Sequence, residues 1–351
     1  MKLRYLFLLL SIFLLAYLCF YPVSIQPVVW KPYDNPGFTG DYAENNILAA
    51  TEYLFEGQCY KCEDVDVDSQ GRIYGASEDG KIYQFDGNQR STLVETQGRP
   101  LGLHFDSLGN LITADTEKGL LSIAPNGKLD TLSSNYKGYY YQFTDDLDIA
   151  PNGNIYFTDA SNRFSIWDYK YDLLEHRPNG SFYEYNPSTK ETTLLLDELY
   201  FANGVAVSEN GDYVLVCETG AYSILKYWID GPLKGTKETF IENLPGFPDG
   251  ISRGSKGIYW IGFTSPRQAP LDWISDKPFL RKMVLRLPEF LQPKPVDYSF
   301  VIGLNEDGEV VYNLQDPEGK FAQISSVQEN NGYLYFGSLG ENGIGRIKRP
   351  E

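Results

Sequence analysis

The chain has 351 residues, 42% of them hydrophobic and 15% aromatic, enough for one large β-rich core. Basic residues number 30 and acidic ones 47, and the resulting formal net charge of −17 argues against nucleic acid as a partner. With two histidines and four cysteines there is no second Cys or His pair to complete a zinc site.

The N-terminus reads "MKLRYLFLLLSIFLLAYLCFYPVSIQPVVWK". Lys2 and Arg4 precede an uncharged run from Tyr5 to Trp30, and its strongly apolar part spans Leu6 to Phe20. That approaches the roughly 20 residues a bilayer span requires and lacks the small-residue cleavage site of a secretory signal. The basic residues stand before the run, so the N-terminus is expected inside and the body exported. Residues 1–29 therefore read as an uncleaved signal-anchor; a cleaved signal, giving a secreted body, is the alternative. Residues 30–49 read as a linker. Cys19 falls in the anchor. Cys59 and Cys62 form C-Y-K-C, a plausible short disulfide in an exported body. Cys217, in "DYVLVCETG", reads as core.

From residue 50 to 351 the pattern is strand-like nearly throughout, and it repeats. "EDVDVDSQGRIYGASEDG", "DDLDIAPNGNIYFTDA", "NGVAVSENGDYVLVCETG" and three further units are each a strand, a turn ending in glycine and a second strand. The turn glycines are Gly71, Gly109, Gly153, Gly211, Gly257 and Gly332. Four-stranded propeller blades recur at about 40–50 residues, so six units predict a six-bladed β-propeller. The last unit lacks a strand, and "ATEYLFEG", residues 50–57, is expected to complete it and close the ring. Two long intervals hide insertions at 161–180 and 264–295. The second carries Trp273, Ile274, Phe279, Leu280, Met283, Val284 and Leu287 at amphipathic helical spacing. It is expected to follow a strand that leads away from the ligand end and to fold back over the mouth. Arg281, Lys282 and Arg286 would then lie at the rim.

Equivalent positions in the blades face the same place. Eight residues before each turn glycine stand Glu63, Leu101, Asp145, Asn203, Asp249 and Ile324. Three carboxylates and an amide converging at the heads of the innermost strands call for a cation, and an all-oxygen set suits Ca²⁺ or Mg²⁺. Seven residues before stand Asp64, Gly102, Asp146, Gly204, Gly250 and Ser325. Asp64 and Asp146 are candidates for a second, more buried cation, with strand capping as the alternative. The glycines there allow close backbone approach.

"FANGVAVSENGDYVLVCETGAYSILKYWIDGP", "FPDGISRGSKGIYWIGF" and "NGYLYFGSLGENGIGRI" resemble the strictosidine synthase-like proteins, including the adipocyte plasma membrane-associated type. These group with the gluconolactonase, regucalcin and paraoxonase propellers. The resemblance covers roughly residues 50–349. It implies a catalytic calcium held by Glu63, Asp145, Asn203 and Asp249, and a second, structural calcium at Asp64 and Asp146. The family usually has asparagine at the Asp145 position. Leu101 stands where paraoxonases place a histidine, which argues against a histidine-dyad mechanism. Ser325 stands where true strictosidine synthases carry their catalytic glutamate, which argues against amine–aldehyde condensation. His104 is expected in the core and His176 at the surface.

The expected function is calcium-dependent hydrolysis of esters or lactones by a membrane-anchored propeller. Asp249, or else Glu63, would act as general base or nucleophile on a small hydrophobic substrate. The alternative is a non-catalytic anchored propeller that binds a ligand or protein.

Overall fold

The computed structural model describes residues 2–351; Met1, the first residue of the expected anchor, lies outside them. Six four-stranded antiparallel sheets follow one another as blades I to VI around a central channel. Their innermost strands are Val65–Val67, Pro100–Phe105, Thr144–Ile149, Ala202–Val207, Gly246–Arg253 and Ile324–Asn330. The expected six-bladed propeller is thus the fold. Glu52–Leu54 pairs antiparallel with Ile344–Lys348, Tyr53 lying opposite Gly345, so the two ends of the chain close blade VI as expected. All six turn glycines have φ between +71° and +86°, the left-handed region where a Cβ is costly. Inner strands such as Tyr213–Glu218 are buried on both faces and read as apolar runs. Outer strands such as Gln89–Glu95 are largely exposed and polar.

An innermost strand has no strand partner on its channel edge, so its N–H groups need other acceptors. Blades I and III supply them. Asp64 accepts from Leu103 N at 2.7 Å and Asp66 from Phe105 N at 3.1 Å, tying blade I to blade II. Asp146 accepts from Val205 N at 2.8 Å and Asp148 from Val207 N at 2.7 Å, tying blade III to blade IV. Between these staples the backbones come close. A Cβ on Gly204 would lie within 2.5 Å of Ile251 N. The expected role of the glycines one position beyond the ring is the one they have.

Each innermost strand runs from the Glu63–Asp145–Asn203–Asp249 end to its turn glycine, and the second strand runs back. Gly246 pairs with Pro266. The strand before the second insertion therefore leads back to the ligand end, not away from it, and both insertions emerge there. The helices are α1 (Lys2–Phe20), α2 (Tyr169–Glu175), α3 (Ala269–Ile274) and α4 (Pro278–Arg286). The single amphipathic pattern of 264–295 is thus split in two. Pro278 sits in the first turn of α4, where its missing N–H and fixed φ suit a helix start and not a helix interior.

Ile274 packs with Ile25, Phe164 and Leu174 in a small apolar cluster joining α2, α3 and the segment after α1. Arg281 and Arg286 are not at an exposed rim; both are buried. Arg281 donates to Leu174 O at 3.1 Å, and Arg286 donates to Tyr21 O and Leu18 O, each at 2.7 Å. His176 is also buried and not at the surface. It caps α2 with φ of 52° and is stacked between Trp30 and Tyr200, centroids 3.8 and 4.8 Å away. Trp30 reaches it because the chain after α1 crosses the ligand end as a strap, with Val28 N bonded to Glu175 O and Trp30 N to Ser275 O. Farther on, Phe38 and Tyr42 pack against the core of blades IV and V.

Candidate metal centre at the head of the channel

The ring residues owe their aim to a recurring irregularity. Pairing between first and second strands slips between Thr144 and Leu147, between Ala202 and Val205, and between Pro248 and Ile251. Asp145, Asn203 and Asp249 each fall in such a gap. A bulge of this kind re-aims a side chain without breaking the sheet. In blade I, Glu63 lies just ahead of its strand, with its N–H on Ala76 O at 3.1 Å. The loop that delivers it is fastened by a Cys59–Cys62 disulfide packed against Gly75.

Glu63, Asp145, Asn203 and Asp249 are between 3% and 5% exposed. Leu101 and Ile324, the two remaining members of the register, are buried and apolar. Asn203 Nδ2 donates to Asp249 Oδ1. Asn203 Oδ1 and Asp249 Oδ2 are buried with no hydrogen-bond partner. Burial, then the charges of Asp249 and Asp145, raises Glu63 well above the usual carboxylate range. Burial, then Asp249, does the same to Asp145. Burial pushes Asp249 up to about 7, against a hydrogen bond from Asn203 that lowers it. Buried oxygens without donors, beside carboxylates that resist ionising together, fit a hard cation. Among the described residues no three His, Cys, Asp or Glu side chains close into a metal-binding cluster. The fit therefore depends on counting the Asn203 amide oxygen among the donors.

Asp64 and Asp146 stand one residue further along. Each carboxylate accepts its own following N–H as well as the neighbouring blade's: Val65 N on Asp64 at 2.7 Å, Leu147 N on Asp146 at 2.8 Å. Burial raises Asp64 to about 7, and burial with the Asp64 charge raises Asp146. Both therefore make the backbone bonds expected of strand caps, while still repelling one another.

His104, expected in the core, lines a channel cavity of about 60 Å³ together with Asp64, Asp146 and Gln328. Its Nε2 lies 3.4 Å from Asp148. Three contributors are not evident from the register of the turn glycines. Asp66 and Asp148 are signalled instead by the Asp-x-Asp spacing that puts them on the same strand face as Asp64 and Asp146. Arg99 is buried near Glu63, with Nη2 on Lys61 O at 3.2 Å and Nη1 unpartnered. Burial lowers its pKa, and the Glu63 charge does most to oppose that. Nothing local in "QGRPLG" distinguishes it from a surface arginine.

The strictosidine synthase family model matches residues 145–232, and the strictosidine synthase-like N-terminal model matches residues 40–85. The adipocyte plasma membrane-associated protein of Danio rerio is 34% identical, across 95% of this chain and 86% of its own length. The Homo sapiens protein of that name is 33% identical across 91% and 82%. A strictosidine synthase-like protein of Arabidopsis thaliana is 40% identical across 69% of this chain and 67% of its own. Among solved structures, a gluconolactonase from Xanthomonas campestris superposes with a TM-score of 0.62 at 17% identity, covering 93% of this chain and 99% of that one. A calcium-binding regucalcin from Agrobacterium tumefaciens gives 0.59 at 12%, covering 84% and 92%. At those identities the two structures speak for the propeller fold alone. Identity with the curated relatives along nearly the whole chain, on top of the shared fold, places this protein in the adipocyte plasma membrane-associated, strictosidine synthase-like family.

Proposed function

We propose that this protein is a membrane-anchored, calcium-dependent hydrolase of esters or lactones. One observation carries the reading: Asn203 Oδ1 and Asp249 Oδ2 are buried without donors in a ring completed by Glu63 and Asp145. These four residues would hold the catalytic ion, and Asp64 with Asp146 a second, structural one. The fold shared with a gluconolactonase and a calcium-binding regucalcin supports both parts of the proposal. Calcium bound at the ring supplies an electrophile that polarises a carbonyl and stabilises its oxyanion.

The chain's own residues do the rest. Asp249, the ring carboxylate that accepts from Asn203 Nδ2, would take a proton from attacking water or else attack the carbonyl itself. Glu63 is the alternative for either role. Neither histidine belongs to the ring register, so a Ser-His or His-dyad route has no support.

Calorimetric titration with calcium tests the ring. The wild-type chain is expected to bind tightly, and Asp249→Ala and Asn203→Ala to lose that binding while keeping a β-type far-UV spectrum. Unchanged affinity in both variants would remove the site.

A further inference from the structure

Exposed aromatic side chains are distributed unevenly over the propeller. Beyond α1 and its last residues, the strap contributes Tyr33 and the loop entering blade I contributes Tyr60. The Asn135–Tyr140 hairpin, which joins blade II to blade III, contributes Tyr139 and Tyr140, at 82% and 71% exposed. The two insertions contribute Trp167, Trp273, Phe279 and Phe290. Every one of these connections lies at the end where the innermost strands begin. At the opposite end, among the described residues, the exposed large apolar side chains are aliphatic: Leu108, Leu233 and Val311.

The same end holds the N-terminal helix. Arg286 of α4 donates to Leu18 O and Tyr21 O, carbonyls at the C-terminal end of α1 that have no intrahelical donor or lie beyond the last turn. The apolar stretch Leu3–Phe20 has a mean hydropathy of 2.2 and none of it is buried. Wherever α1 leaves the bilayer, α4 is held beside it. Next to that junction lies a surface cleft of about 490 Å³ lined by Gln26, Pro27, Arg177, Pro278, Phe279 and Lys282. Just after α3, the Lys277 ammonium stands over the Trp273 ring at 4.6 Å.

We infer that the channel end carrying Glu63, Asp145, Asn203 and Asp249 rests on the lipid surface, with its aromatic side chains at the level of the headgroups. Trp and Tyr partition to that level because their rings are apolar and their polar tips stay wet. Arg177 and Lys282 would face lipid phosphates from the cleft, while their stems and Phe279 lie against the acyl boundary. A single anchor would leave the propeller free to tumble about its tether. The bonds from Arg286 to the end of α1, and the strap bonded to α2 and α3, fix which end faces the membrane. The metal ring then lies at the membrane-facing end of the channel, beneath the strap and the two insertions. This rests on α1 crossing the membrane, part of the function proposed above.

The tryptophans make the test direct. The chain has five, at positions 30, 167, 228, 260 and 273, and α1 contains none, so the anchor is silent. Full-length protein is incorporated into phosphatidylcholine nanodiscs with plain or with dibrominated acyl chains, and tryptophan emission is compared. The expected result is clear quenching by bromine in the wild type, most of it lost in W167F/W273F. Both side chains are exposed, so the variant keeps its fold; a second variant, Phe279→Trp, should gain quenching. Protein that incorporates but shows no bromine quenching overturns the orientation and leaves the anchor standing. Protein that does not incorporate at all overturns the anchor and the orientation with it. Quenching that is absent while this face is protected by self-association in detergent assigns the aromatic end to a second copy and also overturns the proposal. None of these outcomes depends on whether the ring hydrolyses an ester.

Discussion

At the scale of single residues, the centre is defined by what its atoms lack. Asp249 Oδ2 and Asn203 Oδ1 have no donors, and Glu63, Asp145 and Asp249 are all raised above their ordinary values. A carboxyl whose folded pKa lies above its unfolded one adds stability below the unfolded value and loses it as pH rises through the folded value. For Asp249 that window runs from 3.8 to about 7. In chelator, the melting temperature should therefore fall between about pH 4 and 7. Calcium requires the ionised ligands, so its stabilisation should grow over the same window. Asp145→Asn removes one of the repelling charges, so its fall in chelator should be smaller. Melting curves against pH, with and without calcium, check this; parallel wild-type curves would mean that no ion is linked to these groups.

At the scale of elements, the bulged first strand is the working unit. Its irregularity turns one side chain into the channel, and its Asp-x-Asp pairs fasten the next blade. Asp146→Ala leaves the Leu147 and Val205 N–H groups without their acceptor, a loss of about 1–3 kcal/mol for each buried donor. The melting temperature should drop by several degrees even in chelator. If a second ion sits at Asp64 and Asp146, the gap between wild type and variant should widen in calcium. A gap that vanishes in chelator would contradict the staple, and an equal gap in both would remove the second ion.

The strands, turn glycines and ring positions are legible in the sequence because their signals are local: period-2 alternation, a left-handed turn residue and a fixed count back from it. The split of 264–295 is legible too, in Pro278. The direction of the strand before the second insertion follows from antiparallel pairing alone, and the expectation that it leads away from the ligand end conflicts with that rule. The burial of His176 is not legible, because Trp30, which covers it, is brought there by a strap far away in sequence. Arg99 is illegible for the same reason: Glu63 and the Lys61 carbonyl, which face its guanidinium, come from another blade.

At the scale of the whole molecule, the ends of the chain do two jobs. Glu52–Leu54 closes the ring against Ile344–Lys348, and α1 with its strap is fixed over the channel end that carries the ring. Cys59 and Cys62 are bonded and buried, the short pairing expected of C-Y-K-C in an oxidising compartment. The proposed function makes one chemical claim, that the ring is a calcium site at which ester or lactone bonds are cleaved. The direct measurement is hydrolysis of a panel of aryl esters and lactones by the full-length chain in nanodiscs, first in calcium, then in excess chelator, then with calcium restored. The account predicts hydrolysis of at least one hydrophobic member that disappears in chelator and returns with calcium. A rate untouched by chelator, or tight calcium binding with no member of the panel cleaved, would contradict it, and the second result would favour a propeller that binds without catalysing.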